Sequence, residues 1–90
     1  MNLKKVREDF KILQKKDPTI YFDNACMTLR PKQVIEAMNE YYEEYPACAL
    51  RSHHKLSRLA TEKVEQARKQ VSKFVSAKKT NEIIFTKNTT

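Results

Sequence analysis

Ninety residues make at most one small domain, and a chain this short buries only about 60–65% of its unfolded surface, so its core is thin. Hydrophobic residues make up 40% and charged residues 32%, and the mean hydropathy is −0.74. That balance excludes a disordered chain and any run of about 20 apolar residues able to cross a membrane. The net charge of +7 comes from lysines scattered in pairs at 4–5, 15–16 and 78–79, which reads as a solvated surface. No nucleic-acid motif accompanies the charge, so nucleic acid is not the expected partner.

Leu3, Val6, Phe10 and Leu13 recur at helical spacing and predict a first amphipathic helix of about three turns. Asp17-Pro18 ends it, because the residue before proline avoids the α region. Ile20-Tyr21-Phe22 is a short β-prone run, closed by the turn signal Asp23-Asn24. Pro31 suits the first position of a second helix. Val34, Ala37, Met38, Tyr41, Tyr42 and Tyr45 give that helix a broad apolar face, and Pro46 stops it.

A third helix is expected from about His54 to Ser76, with Leu56, Leu59, Ala60, Val64, Ala67, Val71, Phe74 and Val75 as its stripe. Glu65 and Lys69 stand at the favourable i,i+4 spacing. After the polar loop Lys78–Asn81, Ile83-Ile84-Phe85 reads as a second short strand. The fold expected of these ninety residues is therefore mostly α, about three helices with two short strands. Two strands so short and so far apart belong in a larger sheet. Glycine is absent, although average usage would give roughly six; tight turns must use other residues.

Three short stretches carry chemistry. Asp23–Thr28 is a strand-end turn in which Cys26 is either a small buried side chain or a nucleophile. Arg51-Ser52-His53-His54 offers a guanidinium fork for a carboxylate. Adjacent histidines diverge and Cys48 adds no zinc spacing, so no metal is expected. Thr86–Thr90 supplies hydroxyls and backbone N–H groups that suit a phosphate, or else forms a polar tail. Cys26 and Cys48 are too few for a disulfide framework. With no apolar leader at the N-terminus, they point to reduced thiols in the cytoplasm.

Taken together, Leu3–Leu13, Ile20–Ala25, Arg30-Pro31, Tyr41-Tyr42, Arg51–Ser57, Ala60–Glu62 and Glu82–Thr90 resemble the start of the class V aminotransferases. The resemblance is to the cysteine desulfurases of the selenocysteine-lyase-like branch, and it runs the whole chain in order. It implies the opening quarter of a fold-type I, α/β enzyme dependent on pyridoxal phosphate: part of the small domain plus the start of the large one. It also implies a homodimer, the remainder of the enzyme or a sulfur-acceptor protein as further partners, and iron–sulfur cluster assembly as the setting.

By the same resemblance, Thr89 and Thr90 match the threonine pair that holds the cofactor phosphate, and Asn88 stands where the family usually has glycine. Ala25 and Cys26 match small residues near the substrate carboxylate. Arg51 matches an arginine of the substrate-entry and dimer-contact loop, and His54 a histidine beside it. Leu50 falls where some members have histidine, so no imidazole role carries over there.

No catalytic residue is carried over. The family's Schiff-base lysine, ring-stacking histidine, pyridine-paired aspartate and persulfide cysteine all lie beyond position 90. The chain alone is expected to be inactive, to bind no cofactor, and to self-associate through its exposed helix faces. A selenocysteine lyase, a kynureninase-like enzyme, or a stand-alone basic helical module binding nucleic acid or a protein are the alternative readings.

Overall fold

The computed structural model describes residues 1–17 and 20–89. The expected helix stop at Pro18 and the expected phosphate ligand Thr90 lie outside the described residues. The chain divides into two compact units, Met1–Glu43 and Glu44–Thr90. Three α-helices form among the described residues: α1 (Leu3–Glu8), α2 (Lys32–Glu44) and α3 (Lys55–Phe74). Short 3₁₀ turns cover Lys11–Gln14 and Thr80–Glu82.

The first helix is shorter than its periodicity predicts. Asn2 caps it, its side-chain oxygen accepting the Lys5 N–H at 3.2 Å. Asp9 is already the C-cap, and Phe10 is extended (φ −107°, ψ 98°). The reason lies at Asp9. Its carbonyl accepts the N–H of Lys32 at 2.7 Å, and its carboxylate pairs with the Lys32 ammonium at 3.3 Å. The Leu13 N–H turns to Phe10 instead, at 2.9 Å. Gln14 donates its side-chain amide to the Arg7 carbonyl at 2.7 Å, beside the Phe10 N–H that the same carbonyl accepts at 3.1 Å. Asp9 thus gives up helix continuation to fasten α1 to the start of α2.

Helix α2 begins one residue after Pro31, whose carbonyl accepts from Val34 at 3.0 Å. It ends at Glu44, two residues before Pro46. The Tyr41 and Tyr42 rings meet edge-to-face, 5.2 Å apart. Its expected apolar face is largely uncovered, with Val34, Met38 and Tyr42 exposed, and Ile35 beside them is exposed too.

Helix α3 is capped at both ends by side-chain and backbone devices that need no glycine. The Nδ1 atom of His54 accepts the Ser57 N–H at 3.4 Å. At the far end Ser76 adopts φ 56°. Its N–H bonds the Lys73 carbonyl at 3.2 Å, while the Ala77 N–H reaches back to Ser72 at 2.9 Å. This is a Schellman closure with serine in the left-handed position that glycine usually takes.

The buried side of α3 keeps only Leu59, Ala60 and Val64 of the expected stripe. Ser57, Ala60 and Ser72 are its buried residues, with Leu59, Thr61, Val64 and Arg68 half-buried, while Ala67, Val71, Phe74 and Val75 stay exposed. The cause is that Ser57, Thr61 and Arg68 hold neighbouring backbone by hydrogen bonds, so this polar face turns inward. Glu65 pairs with Arg68 at 3.5 Å, where the spacing had offered Lys69.

Neither expected strand forms: no β-strand occurs among the described residues. Ile83 is extended (φ −92°, ψ 115°), but its carbonyl is taken by the Arg68 guanidinium, not by a neighbouring strand. Ile20 and Phe22 stay exposed. A strand is stabilised by the ladder and cross-strand pairs a neighbour supplies, and three apolar residues do not create one alone. The core is thin, as the length dictates. Tyr45 and Ala60 are the buried apolar residues among those described.

Candidate functional site

Ala25 and Cys26 sit on a turn in the first unit. The Asp23 carbonyl accepts the N–H of Cys26 at 3.1 Å and of Met27 at 3.0 Å. The Tyr21 hydroxyl lies against the Met27 carbonyl and closes the turn from the other side. The Arg30 guanidinium donates to the Thr28 carbonyl. Asp23-Asn24 therefore does form the turn that its residue types announce. Cys26 is exposed, as is Cys48, and both are free thiols; the reading of Cys26 as a small buried side chain is corrected, because the turn that carries it is exposed to solvent.

The same unit holds a largely apolar hollow of about 490 Å³, walled by Phe10, Leu13, Ile20, Phe22 and Leu29, with Arg7 and Asn24 as polar members.

Arg51 lies on an arch in the second unit that leads into α3, and His54 stands at the helix's start. Leu50 adopts φ 64° on the arch, a left-handed turn made without glycine. Ser57 is the arch's fastening. It is 0% exposed, and its hydroxyl lies 2.6 Å from the Cys48 carbonyl and 3.1 Å from the Ser52 carbonyl. One turn further along α3, Thr61 donates to the Ser57 carbonyl at 2.8 Å and accepts the Leu50 N–H at 2.9 Å. Arg51 rides exposed on the arch.

His54 is occupied in capping α3 through Nδ1. A hollow of about 330 Å³ beside the arch is lined by Leu50, Ser52, His53, Arg58, Thr61 and Glu62. No group of three His, Cys, Asp or Glu residues among those described could hold a metal ion.

Asn88 and Thr89 lie on the exposed segment that follows Phe85. The Thr86 hydroxyl donates to the Asn88 carbonyl at 3.0 Å and bends the chain there. Upstream, Arg68 anchors this segment to α3. Its guanidinium donates to the Ile83 carbonyl and stands 5.0 Å from the centroid of the Phe85 ring.

The roles of Ser57, Thr61 and Arg68 are not visible as motifs. Ser57 and Thr61 do stand four residues apart at the start of a helix, the spacing that puts two hydroxyls on one face. That spacing was the available signal.

The Asp9 carboxyl is held below its usual 3.8, first by the Gln33 side-chain hydrogen bond and then by Lys32. It belongs to the joint between α1 and α2.

The profile of the class V aminotransferases, "Aminotransferase class-V", matches residues 20–90. The chain is 50% identical over 84 residues to a probable cysteine desulfurase of Pyrococcus abyssi, covering 93% of this chain and 20% of that protein. It is 41% identical over 87 residues to a probable cysteine desulfurase of Streptomyces coelicolor, covering 92% of this chain and 21% of that one. Among solved structures, the apo cysteine desulfurase of Thermococcus onnurineus NA1 superposes with a TM-score of 0.80 at 47% identity, over 94% of this chain and 20% of that structure. The chain thus spans about a fifth of the length of the relatives it matches. The match covers the turn, the arch and the Phe85–Thr89 segment together, and the chain belongs to the class V aminotransferase family.

Proposed function

We propose that this chain is the section of a cysteine desulfurase that presents groups to the cofactor phosphate and to the substrate carboxylate. The likeness in backbone and sequence to a solved cysteine desulfurase over 94% of the chain carries this reading. The parent reaction transfers the sulfur of L-cysteine to an enzyme thiol. The carbon–sulfur bond breaks, a sulfur–sulfur bond forms, and L-alanine leaves. Pyridoxal phosphate, when bound, supplies the electron sink that this cleavage requires.

The residues present fit that coenzyme's phosphate by their donor chemistry. The Thr89 hydroxyl and the Lys87 ammonium, both on the exposed segment bent by the Thr86–Asn88 bond, supply a donor and a positive charge. Asn88 is compatible with the bend, since asparagine tolerates left-handed backbone better than most residues. Arg51 would meet the substrate carboxylate with two parallel N–H donors. His54 caps α3 through Nδ1, at the point where the arch enters the helix. Ala25 and Cys26 would border the carboxylate with small side chains. Covalent chemistry is assigned to the four-fifths of the relatives' length outside the match, so the ninety residues alone turn over no cysteine. A cytoplasmic setting with both thiols reduced, and association of copies through α2, belong to the same reading.

A chimera tests it. These ninety residues replace the matching fifth of the Thermococcus enzyme, and alanine release from L-cysteine is measured. The expected result is alanine and persulfide from the chimera and none from the ninety-residue chain. A chimera that folds and takes up pyridoxal phosphate yet leaves cysteine untouched, while consuming another amino acid, overturns it.

A further inference from the structure

We infer that Ser57 and Thr61 are positioning residues, a two-hydroxyl clamp that sets the carboxylate affinity of Arg51 by fixing the arch on which it rides. The consequence for binding rests on Arg51 facing a carboxylate, as proposed above; the clamp itself does not.

The geometry points to this in three ways. Ser57 is a polar side chain with no exposed surface in a chain whose core is otherwise nearly absent. A buried hydroxyl in such a place is costly unless its hydrogen bonds are made. The single Ser57 O–H is shared between two carbonyls, that of Cys48 at 2.6 Å and that of Ser52 at 3.1 Å, the two ends of the arch, so one side chain sets the arch's span. Thr61 then takes the Leu50 N–H at 2.9 Å, holding the one arch residue at positive φ. Leucine carries a Cβ that disfavours this conformation, so an external bond is needed to keep it there. Arg51 is the next residue. Its backbone direction follows from the Leu50 turn on one side and the Ser52 carbonyl on the other. A guanidinium fork recognises a carboxylate by the orientation of two parallel donors, so a loosened arch weakens recognition without removing the charge.

The experiment uses the full ninety-residue chain, labelled for NMR, with Thr61→Val, Thr61→Ser and Ser57→Ala. Two signals are followed: amide exchange at Leu50, and the Arg51 side-chain N–H resonance during titration with L-alanine, a substrate-shaped carboxylate without sulfur. Thr61→Val keeps the volume but removes the hydroxyl, and Leu50 exchange is expected to rise about tenfold, the measure of one lost hydrogen bond. Thr61→Ser restores the hydroxyl and returns exchange to the parent's. The Arg51 shift with L-alanine is expected in the parent and in Thr61→Ser, and reduced in Thr61→Val and Ser57→Ala.

Leu50 exchange that is unchanged in Thr61→Val, or raised equally in Thr61→Ser, overturns the clamp. An arch that responds as expected while Arg51 ignores L-alanine in every form overturns the link to carboxylate binding. It does so separately from the chimera, which tests the reaction.

Discussion

The guanidinium of Arg68 lies over the ring of Phe85, 5.0 Å from its centroid, and this stacking joins the middle of α3 to the segment that runs on to Asn88 and Thr89. The same side chain donates to the Ile83 carbonyl and pairs with Glu65. Arg68→Ala removes all three contacts. Chymotrypsin cleavage after Phe85 is expected to become about tenfold faster, with α3 helicity retained, since the lost contacts amount to about 1–2 kcal/mol of local stability. Arg68→Lys keeps the charge but not the planar fork and should fall between. Cleavage at the parent rate in Arg68→Ala would show that Arg68 does not hold the segment.

Acid should open the joint between α1 and α2. The folded carboxyl of Asp9 titrates below its ordinary 3.8, held there first by Gln33 and then by Lys32. A lowered folded value means that the charged form is favoured in the folded chain. The contribution is complete above pH 3.8 and fades as the pH falls through the lowered value. Asp9→Asn removes it at every pH. The melting temperatures of parent and Asp9→Asn should differ near neutrality and converge in strong acid. Curves that stay parallel through that window would contradict this.

Ser76 can be improved upon. It holds φ 56° at the closure of α3, where a Cβ costs about 1 kcal/mol and glycine costs nothing sterically. Ser76→Gly is expected to raise the melting temperature by about 1–2 °C after the entropy of the unfolded glycine is subtracted. Ser76→Val should lower it, because branching at Cβ worsens the same contact. Thermal melts followed by helical circular dichroism read both changes.

Helix α2 presents Ile35, Met38 and Tyr42 to solvent, 44%, 54% and 67% exposed. Copies of the chain are expected to associate through this face. Ile35→Gln with Met38→Gln should weaken association about tenfold in sedimentation equilibrium, given the apolar area removed. A parent chain that sediments as a monomer at all concentrations would refute this.

The helices were legible because a 3.6-residue period needs only local sequence, and Pro31 and Pro46 bracket α2 much as their missing N–H groups require. The break at Asp9 was not, because it depends on a bond to Lys32, twenty-three positions away. The strand expectation at Ile83–Phe85 was mistaken for a related reason. An apolar triplet states a preference, but a ladder needs a second strand, and Arg68 claims the carbonyl instead.

The sites divide in the same way. The Asp23-Asn24 turn is written in residue types that bond their own backbone. The inward face of α3 was misjudged because serine, threonine and arginine on a helix ordinarily read as a solvent face. Here each has a backbone carbonyl to hold.

The hydrogen bonds described for the Arg51 arch all begin and end between positions 48 and 61. Closing so short a loop costs little chain entropy, and contacts this near in sequence are the ones that form first in folding. The arch can therefore assemble as soon as the opening turns of α3 exist. What it offers a ligand is written into a portable stretch of chain, one that could be moved onto another helix with its geometry carried along.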